Sequence, residues 1–101
     1  MTQIKIPFNA WSKSRFITHG KSATSRTKIY GKIGDTFEVD GKIYELTDIQ
    51  AQKLYIVANV YFNREGCNSP EEFIDVWNDI HPKKKYNSEA VVYLHLFRLV
   101  K

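Results

Sequence analysis

The densest group of chemically useful side chains lies between Gly20 and Arg26, in the sequence GKSATSR. This segment places the amine of Lys21, the hydroxyl of Thr24 and the guanidinium of Arg26 close together along the chain. A threonine hydroxyl is a weak nucleophile until a neighbouring base takes its proton, and a partly desolvated lysine amine can be that base. The segment therefore contains the parts of a nucleophilic site. The ordinary alternative is a solvated lysine beside an unremarkable strand threonine.

Basic and aromatic residues further along the chain could bind a ligand beside this segment. If the chain is extended here, Thr24, Arg26 and Lys28 point to one face, because side chains alternate along a strand. Tyr30 follows two residues later, and its ring could stack on a base. Three consecutive lysines nearer the C-terminus could bind a phosphate backbone, although such a run is more often a solvated loop. These are Lys83, Lys84 and Lys85.

The histidines and the single cysteine predict neither a metal site nor a thiol catalyst. His19, His81 and His95 are scattered without the spacing of metal ligands. His95 lies in an apolar run and is expected to be a hydrogen-bonded core residue. Cys67 has no second cysteine with which to form a disulfide and no neighbouring base that would activate its thiol. We therefore expect no metal and no cofactor.

The composition is that of one small globular domain with an uneven distribution of charge. The 101 residues are 43% hydrophobic and 26% charged, with a formal net charge of +4. The first 34 residues contain seven lysines and arginines and no acid, which predicts an electropositive surface that could receive an anion, nucleotides and nucleic acid included, or simply a solvated basic face. Neither an apolar run of about 18 residues nor a signal peptide is present, so we expect a cytoplasmic protein that does not enter membranes, with a monomer favoured.

Hydrophobic periodicity predicts a strand and a helix at the start of the chain. Residues 4–8 alternate between apolar and polar side chains, and Pro7 places this strand at an edge or ends it. Residues 10–19 could form a short helix that stops at Gly20. The chain from Ser22 is rich in β-branched and hydroxylated residues, which favour an extended segment. The helix residues expected to face inward are Trp11, Phe16 and Ile17.

A hairpin and a helix are predicted in the middle of the chain. Asp40 and Gly41 form the strongest short turn signal and would join strands 36–39 and 42–48. An amphipathic helix is predicted over residues 51–64, because apolar side chains recur there at offsets of three and four. These side chains are Leu54, Val57, Ala58 and Tyr61.

The best-marked helix follows, and a long strand ends the chain. Ser69 is its predicted N-cap, Pro70 its first residue and Glu72 the second half of a capping box. It ends at His81, since a residue before proline avoids helical geometry. Residues 91–100 read as a buried strand at the centre of the sheet. The buried stripe of the helix is expected to be Phe73, Val76, Trp77 and Ile80. This order of elements implies an α+β domain.

The chain resembles the ASCH superfamily from about Ile17 to Val100, through the Gly20 to Arg26 segment, the turn GKIGDTFEV and the stretch REGCNSPEEFIDVWNDIHP. The resemblance implies a small PUA-like mixed β-barrel with about three flanking helices. In that superfamily a lysine, an acidic or hydroxyl residue and an arginine line the mouth of a cleft, and Lys21, Thr24 and Arg26 match them. Most relatives carry glutamate where this chain has Thr24.

The threonine resembles the subset of small bacterial amidohydrolases that remove the acetyl group from 4-acetylcytidine. That likeness implies a catalytic set of Lys21, Thr24 and Glu65, since Glu65 matches an acid that precedes the family's later helix. The first hypothesis is therefore an amidohydrolase acting on an N-acylated cytidine. The alternative is a non-catalytic RNA-binding module that uses Arg26, Lys28, Tyr30 and the lysine run. A third is a partner protein whose cleft has no ligand.

Overall fold

The protein folds as a curled, four-stranded antiparallel sheet with helices packed against it, an α+β half-barrel, in a computed structural model that describes residues 2–101. The strands lie in the order β1-β4-β3-β2, so β1 and β2 form the two edges. The expected α+β class and the small PUA-like architecture are confirmed. The elements are α1 (Ala10–Thr18), β1 (Ala23–Arg26), β2 (Thr36–Val39), β3 (Lys42–Lys53), α2 (Leu54–Val60), α3 (Pro70–Ile80) and β4 (Val91–Leu99).

The prediction of a strand over residues 4–8 is wrong, because this segment is not a strand of the sheet. The N-terminal segment makes one parallel bridge to β2, between Gln3 and Thr36, and then leaves the sheet. Pro7 has no N–H with which to continue a ladder, so pairing stops before it. The alternation of the segment still has a packing role, because Ile6 is buried in the core.

The boundary between β3 and α2 is also different from the prediction. β3 continues to Lys53 rather than ending at residue 48, and α2 covers only residues 54–60 of the predicted 51–64. A register shift between Leu46 and Asp48 lets β3 follow β4 for nine paired positions, and this long-range pairing overrides the local helical pattern. The helical stripe itself is confirmed, since Leu54, Val57 and Ala58 are buried and Tyr61 is partly buried.

The flanking helices bury most of the residues expected to face inward. In α1, Phe16 is buried, whereas Ile17 is 77% exposed, so its predicted inward position is wrong. Ser69 caps α3 by accepting a hydrogen bond from the Glu72 backbone N–H, as predicted. The Glu72 carboxylate accepts from the backbone N–H of Asn68. Ile80 is 48% exposed rather than buried, because it lies on the last turn of the helix.

Two hydrophobic clusters lie on opposite faces of the sheet. Along β4, Leu94 and Leu96 pack with α2 and α3, whereas Phe97 points to the other face. There it contacts an aromatic cluster that includes Phe16, Phe37 and Tyr44. The sheet is thereby fixed from both sides, and its β1 edge becomes a rigid support for the side chains on it. No helix in the described part of the chain is long and apolar enough to cross a membrane.

Candidate functional site

A cleft of about 470 Å³ runs along the free edge of β1. The N-terminal segment and the start of α1 form one wall, and α3 forms the other. Because β1 is an edge strand, residues from both of its faces reach the cleft, and Thr24, Ser25 and Arg26 all line it. Five aromatic residues line the cleft. They are Phe8, Trp11, Tyr30, Phe73 and Trp77.

Backbone hydrogen bonds bring two distant stretches of the chain together at the floor of the cleft. The N–H groups of Ser22 and Ala23 both donate to the carbonyl of Arg64, at 2.8 and 3.0 Å. Gly66 then lets the loop pass close to α1: its φ is +95°, and a Cβ there would lie 2.7 Å from the Cβ of Arg15. These contacts place Glu65 directly beside Lys21.

Lys21 and Glu65 form a buried ion pair. The Nζ of Lys21 donates to the backbone carbonyl of Glu65 at 2.6 Å and lies 3.4 Å from its Oε1. The two side chains are only 2% and 7% exposed. Burial lowers the pKa of Lys21 below its ordinary value, and the carboxylate of Glu65 opposes that shift. The amine is therefore less basic than a surface lysine, as a general base near neutral pH must be.

Ser25 is a member of the site that sequence reasoning did not find. Its hydroxyl donates to Oε2 of Glu65 at 2.5 Å, on the side of the carboxylate away from Lys21. Because side chains alternate along a strand, Ser25 is expected on the face of β1 opposite to Thr24 and Arg26. Only the position of β1 at the edge of the sheet, which the sequence does not reveal, shows that both faces open into one cleft.

Thr24 is buried at the same edge, and Arg26 holds its hydroxyl. The Nε of Arg26 donates to Oγ1 of Thr24 at 3.2 Å, and its Nη2 donates to the carbonyl of Pro7 at 2.6 Å. The guanidinium also lies over the rings of Phe8 and Tyr30. The hydroxyl proton of Thr24 has no acceptor within residues 2–101, and no hydrogen bond there joins Thr24 to Lys21. A ligand in the cleft therefore meets a hydroxyl whose oxygen is held by Arg26 and whose proton is free to be donated.

The remaining predicted binding residues divide into two groups. Lys28 and Tyr30 line the cleft, and the ammonium of Lys28 lies 4.9 Å from the centre of the Tyr30 ring. The lysine run does not line the cleft and lies in the exposed turn that follows α3, and its contact with a phosphate backbone stays a prediction. The backbone N–H of Lys85 bonds to the carbonyl of His81, which closes this turn directly after α3. The three residues concerned are Lys83, Lys84 and Lys85.

The surroundings of His95 and Cys67 indicate structural rather than catalytic roles. His95 is fully buried, its Nε2 accepts from the backbone N–H of Tyr30, and its Nδ1 donates to the carbonyl of Tyr93, which confirms it as a hydrogen-bonded core residue. Cys67 lines the cleft, but burial and the nearby Glu65 raise the pKa of its thiol to about 12. A thiol with that pKa is not a nucleophile at neutral pH. Among residues 2–101, no three His, Cys, Asp or Glu side chains are grouped as a metal site requires.

Comparisons with known proteins find a similarity in structure but none in sequence. No family model and no curated protein matches the sequence. A solved structure, the ASCH domain from Lactobacillus crispatus JV V101, superposes with a TM-score of 0.65 and 13% sequence identity. The match covers 97% of this chain and 78% of that one. The fold of this protein is therefore that of an ASCH domain.

Proposed function

We propose that the cleft binds a cytidine acylated on its exocyclic nitrogen and hydrolyses the acyl amide. The observation that carries the proposal is the meeting of Lys21, Thr24 and Glu65 in one cleft, although 40 positions of sequence separate Glu65 from Ser25, the neighbour of Thr24. An amine, a hydroxyl and a carboxyl group are the parts that acyl transfer needs: a base, a nucleophile and an acid. The fold of an ASCH domain and the resemblance of residues 20–26 to the threonine-bearing amidohydrolases agree with this assignment.

The shape of the cleft suits a nucleoside. Its volume of about 470 Å³ is within the usual range for small-molecule sites, and its walls are largely aromatic. Trp11 and Trp77 lie on opposite walls. Trp77 is buried and stacked against His81, so the partly buried Trp11 is the ring on which a flat base could stack. Thr24 and Ser25 of β1 lie beside Glu65 at the floor of the cleft, so an exocyclic amide that points inward would meet these polar groups.

The buried ion pair supplies the first proton movement. One proton passes from the ammonium of Lys21 to the carboxylate of Glu65, which leaves a neutral amine and a neutral carboxylic acid. The transfer keeps the pair electrically neutral overall, and it is favoured when a ligand excludes water, because burial penalises charged groups. Burial lowers the pKa of Lys21, which acts in the same direction as this transfer.

Acyl transfer to Thr24 follows from that form. The amine of Lys21 takes the proton of Thr24 as Oγ1 bonds to the acyl carbon, and Arg26, which already touches Oγ1, faces the developing oxyanion. The C–N bond then breaks, and Glu65 gives its proton to the leaving nitrogen. The products are cytidine, acyl-Thr24, a Lys21 ammonium and a Glu65 carboxylate.

Water completes the cycle through the same two groups. Glu65 takes a proton from water as the water oxygen bonds to the acyl carbon. The ester bond breaks, Oγ1 of Thr24 takes the proton of the Lys21 ammonium, and the carboxylic acid leaves. Lys21 and Glu65 are again neutral, so both protons are accounted for.

A binding role without catalysis is the second candidate. It is favoured by Lys28 and Tyr30, which place a cation and a ring together at the rim. If RNA binds there, its affinity should fall with rising salt in proportion to the phosphates contacted. Since Arg26 is already engaged by Thr24 and Pro7, it is a less effective phosphate ligand than its position in the sequence suggests.

Incubation with 4-acetylcytidine, followed by chromatography for cytidine, tests the hydrolase. We expect turnover by the unaltered protein, and its loss in Thr24→Val and in Lys21→Met. Thr47→Val, at an exposed position of β3, is the matched control and should leave the rate unchanged. Absence of turnover, together with salt-dependent RNA binding, would exclude the hydrolase and establish the binding role.

A further inference from the structure

The carboxylate of Glu65 has a different partner on each oxygen. Oε1 faces the ammonium of Lys21 at 3.4 Å, and Oε2 accepts the hydroxyl proton of Ser25 at 2.5 Å. A distance of that size is typical of a hydroxyl bonded to an ionised carboxylate. Lys21 makes its shorter contact, 2.6 Å, with the backbone carbonyl of Glu65, so the ammonium does not by itself fix the carboxylate.

We propose that Ser25 is a positioning residue that orients Glu65 and sets how firmly the Lys21–Glu65 pair holds its shared proton. The reaction part of this inference rests on the proposed function, whereas the proton-holding part does not. A glutamate side chain has several rotatable bonds, and fixing it costs entropy. Ser25 has one, and its backbone is held by pairing with Leu94 of β4. The hydrogen bond from its hydroxyl to Oε2 therefore fixes the Glu65 carboxylate with Oε1 directed toward Lys21.

The sign of the effect follows from the charges. When the pair loses its shared proton, a neutral amine remains beside a buried carboxylate, and the Ser25 hydroxyl is the donor that stabilises this carboxylate. Without that donor the proton-free state is costlier, so the pair keeps its proton to higher pH. A hydrogen bond to a charged group is stronger than one between neutral groups, and a part of its strength differs between the two states, so the expected rise in the titration midpoint is about one pH unit.

Other charged groups near the pair do not mimic this effect. Arg26 faces it from β1 and stays charged, because an arginine does not lose its proton over the working range. Cys67 faces it from the loop before α3, and its raised pKa of about 12 keeps the thiol neutral below that pH. Arg15 and Glu72 lie beyond Cys67, where they form their own contact at 3.5 Å.

The test compares Ser25→Ala with Ser25→Thr, which restores the hydroxyl. Ser22→Ala is the matched control, since the Ser22 hydroxyl accepts from Arg64 and does not touch Glu65. The first measurement is an NMR titration of the Lys21 side chain, and circular dichroism checks that each variant is folded. We expect the titration midpoint to rise by about one pH unit in Ser25→Ala and to return in Ser25→Thr. Ser25→Cys, a weak donor of similar size, should also raise it, so the result does not depend on the alanine variant.

The second measurement separates the inference from the proposed function. With 4-acetylcytidine, the basic limb of the kcat profile should move upward in Ser25→Ala by the same amount as the titration. A shifted titration in a protein that shows no turnover would support the role of Ser25 and overturn the hydrolase. An unshifted midpoint in Ser25→Ala would overturn the role of Ser25, whatever the turnover.

Discussion

Two buried acids lie at opposite edges of the sheet, and their partners differ in kind. Asp35, just before β2, accepts hydrogen bonds from the backbone N–H groups of Thr2 and Lys32, at 3.3 and 3.0 Å. Glu65, beside β1, accepts from the side chains of Lys21 and Ser25. Both acids are almost fully shielded from water. The contrast therefore lies in the donors rather than in the burial.

The nature of the donors decides what each acid can do. A backbone N–H stabilises a carboxylate but is far too weak an acid to give it a proton, so Asp35 serves to hold the turn before β2. Gly31 faces the same carboxylate with a φ of +71°, and a Cβ there would lie 3.0 Å from its Oδ2. An ammonium of lowered pKa can give up its proton, so Glu65 can take part in chemistry. A buried acid becomes a candidate for function through the chemistry of its partner.

The largest expected effect is the loss of activity when Glu65 is replaced. Glu65→Gln keeps the size of the side chain but cannot carry a proton, so we expect turnover of 4-acetylcytidine to fall about a thousandfold. Glu71→Gln, at an exposed position of α3, should retain the full rate. Retention of more than about a tenth of the activity in Glu65→Gln would mean that the carboxyl group does not act as the acid.

The second effect measures how well water is excluded from the surroundings of Glu65. Cys67 faces this pair, and its pKa of about 12 against an ordinary 9.0 makes thiolate scarce. At pH 8, alkylation of the folded protein should be several hundredfold slower than that of the chain unfolded in guanidinium. Equal rates would show that water reaches the floor of the cleft freely, which would remove the basis for the altered pKa of Lys21.

The same thiol predicts a pH dependence of stability. Because the folded pKa is raised, the unfolded chain loses the thiol proton first, between pH 9 and about 12. The contribution of Cys67 to the free energy of unfolding is thus complete below pH 9 and is lost as the pH rises toward 12. Cys67→Ala should lack this part of the decline, as denaturant titrations at pH 8 and pH 11 would measure.

The third effect is expected on stability rather than on activity. Asp35→Asn removes the charge that two backbone N–H groups stabilise, so we expect the free energy of unfolding to fall by about 1–3 kcal/mol with turnover unchanged. Asp40→Asn, at the exposed hairpin turn with a φ of +49°, is the control and should cost little, since asparagine tolerates that conformation. A loss of turnover without a loss of stability in Asp35→Asn would contradict the distinction.

The sequence predicts the local part of the site and misses the part that depends on the sheet. Lys21, Thr24 and Arg26 lie in one short segment, where composition alone draws attention to them. The position of Glu65 came only from the resemblance to a family, because no local pattern connects residue 65 with residue 21. Ser25 was missed because strand alternation assigns it to the other face, and only the edge position of β1 brings both faces to one cleft.

Element boundaries show the same division between local and long-range effects. The cap of α3 is a local signal, and Ser69 is found where it was predicted. The end of β3 depends on its partner: nine pairs with β4 extend the strand through Lys53, where the local pattern favours a helix. The path of the chain after α3 is likewise not given by local sequence, and the exposed lysine run does not line the cleft.

The smallest effect concerns a third acid, whose partner is a charged side chain at the surface. Glu45 and Arg98 are directly paired across β3 and β4, with Nε and Nη2 of the arginine 3.1 and 2.7 Å from Oε1. The Arg98 side chain is 66% exposed, so water and salt screen the attraction, and both donors share one oxygen instead of forming a two-oxygen fork. We expect Arg98→Ala to lower the free energy of unfolding by less than about 1 kcal/mol, with a smaller loss at high salt and unchanged turnover. A loss as large as that of Asp35→Asn would mean that an exposed cation can hold an acid as firmly as buried backbone donors, and the distinction by partner would then fail.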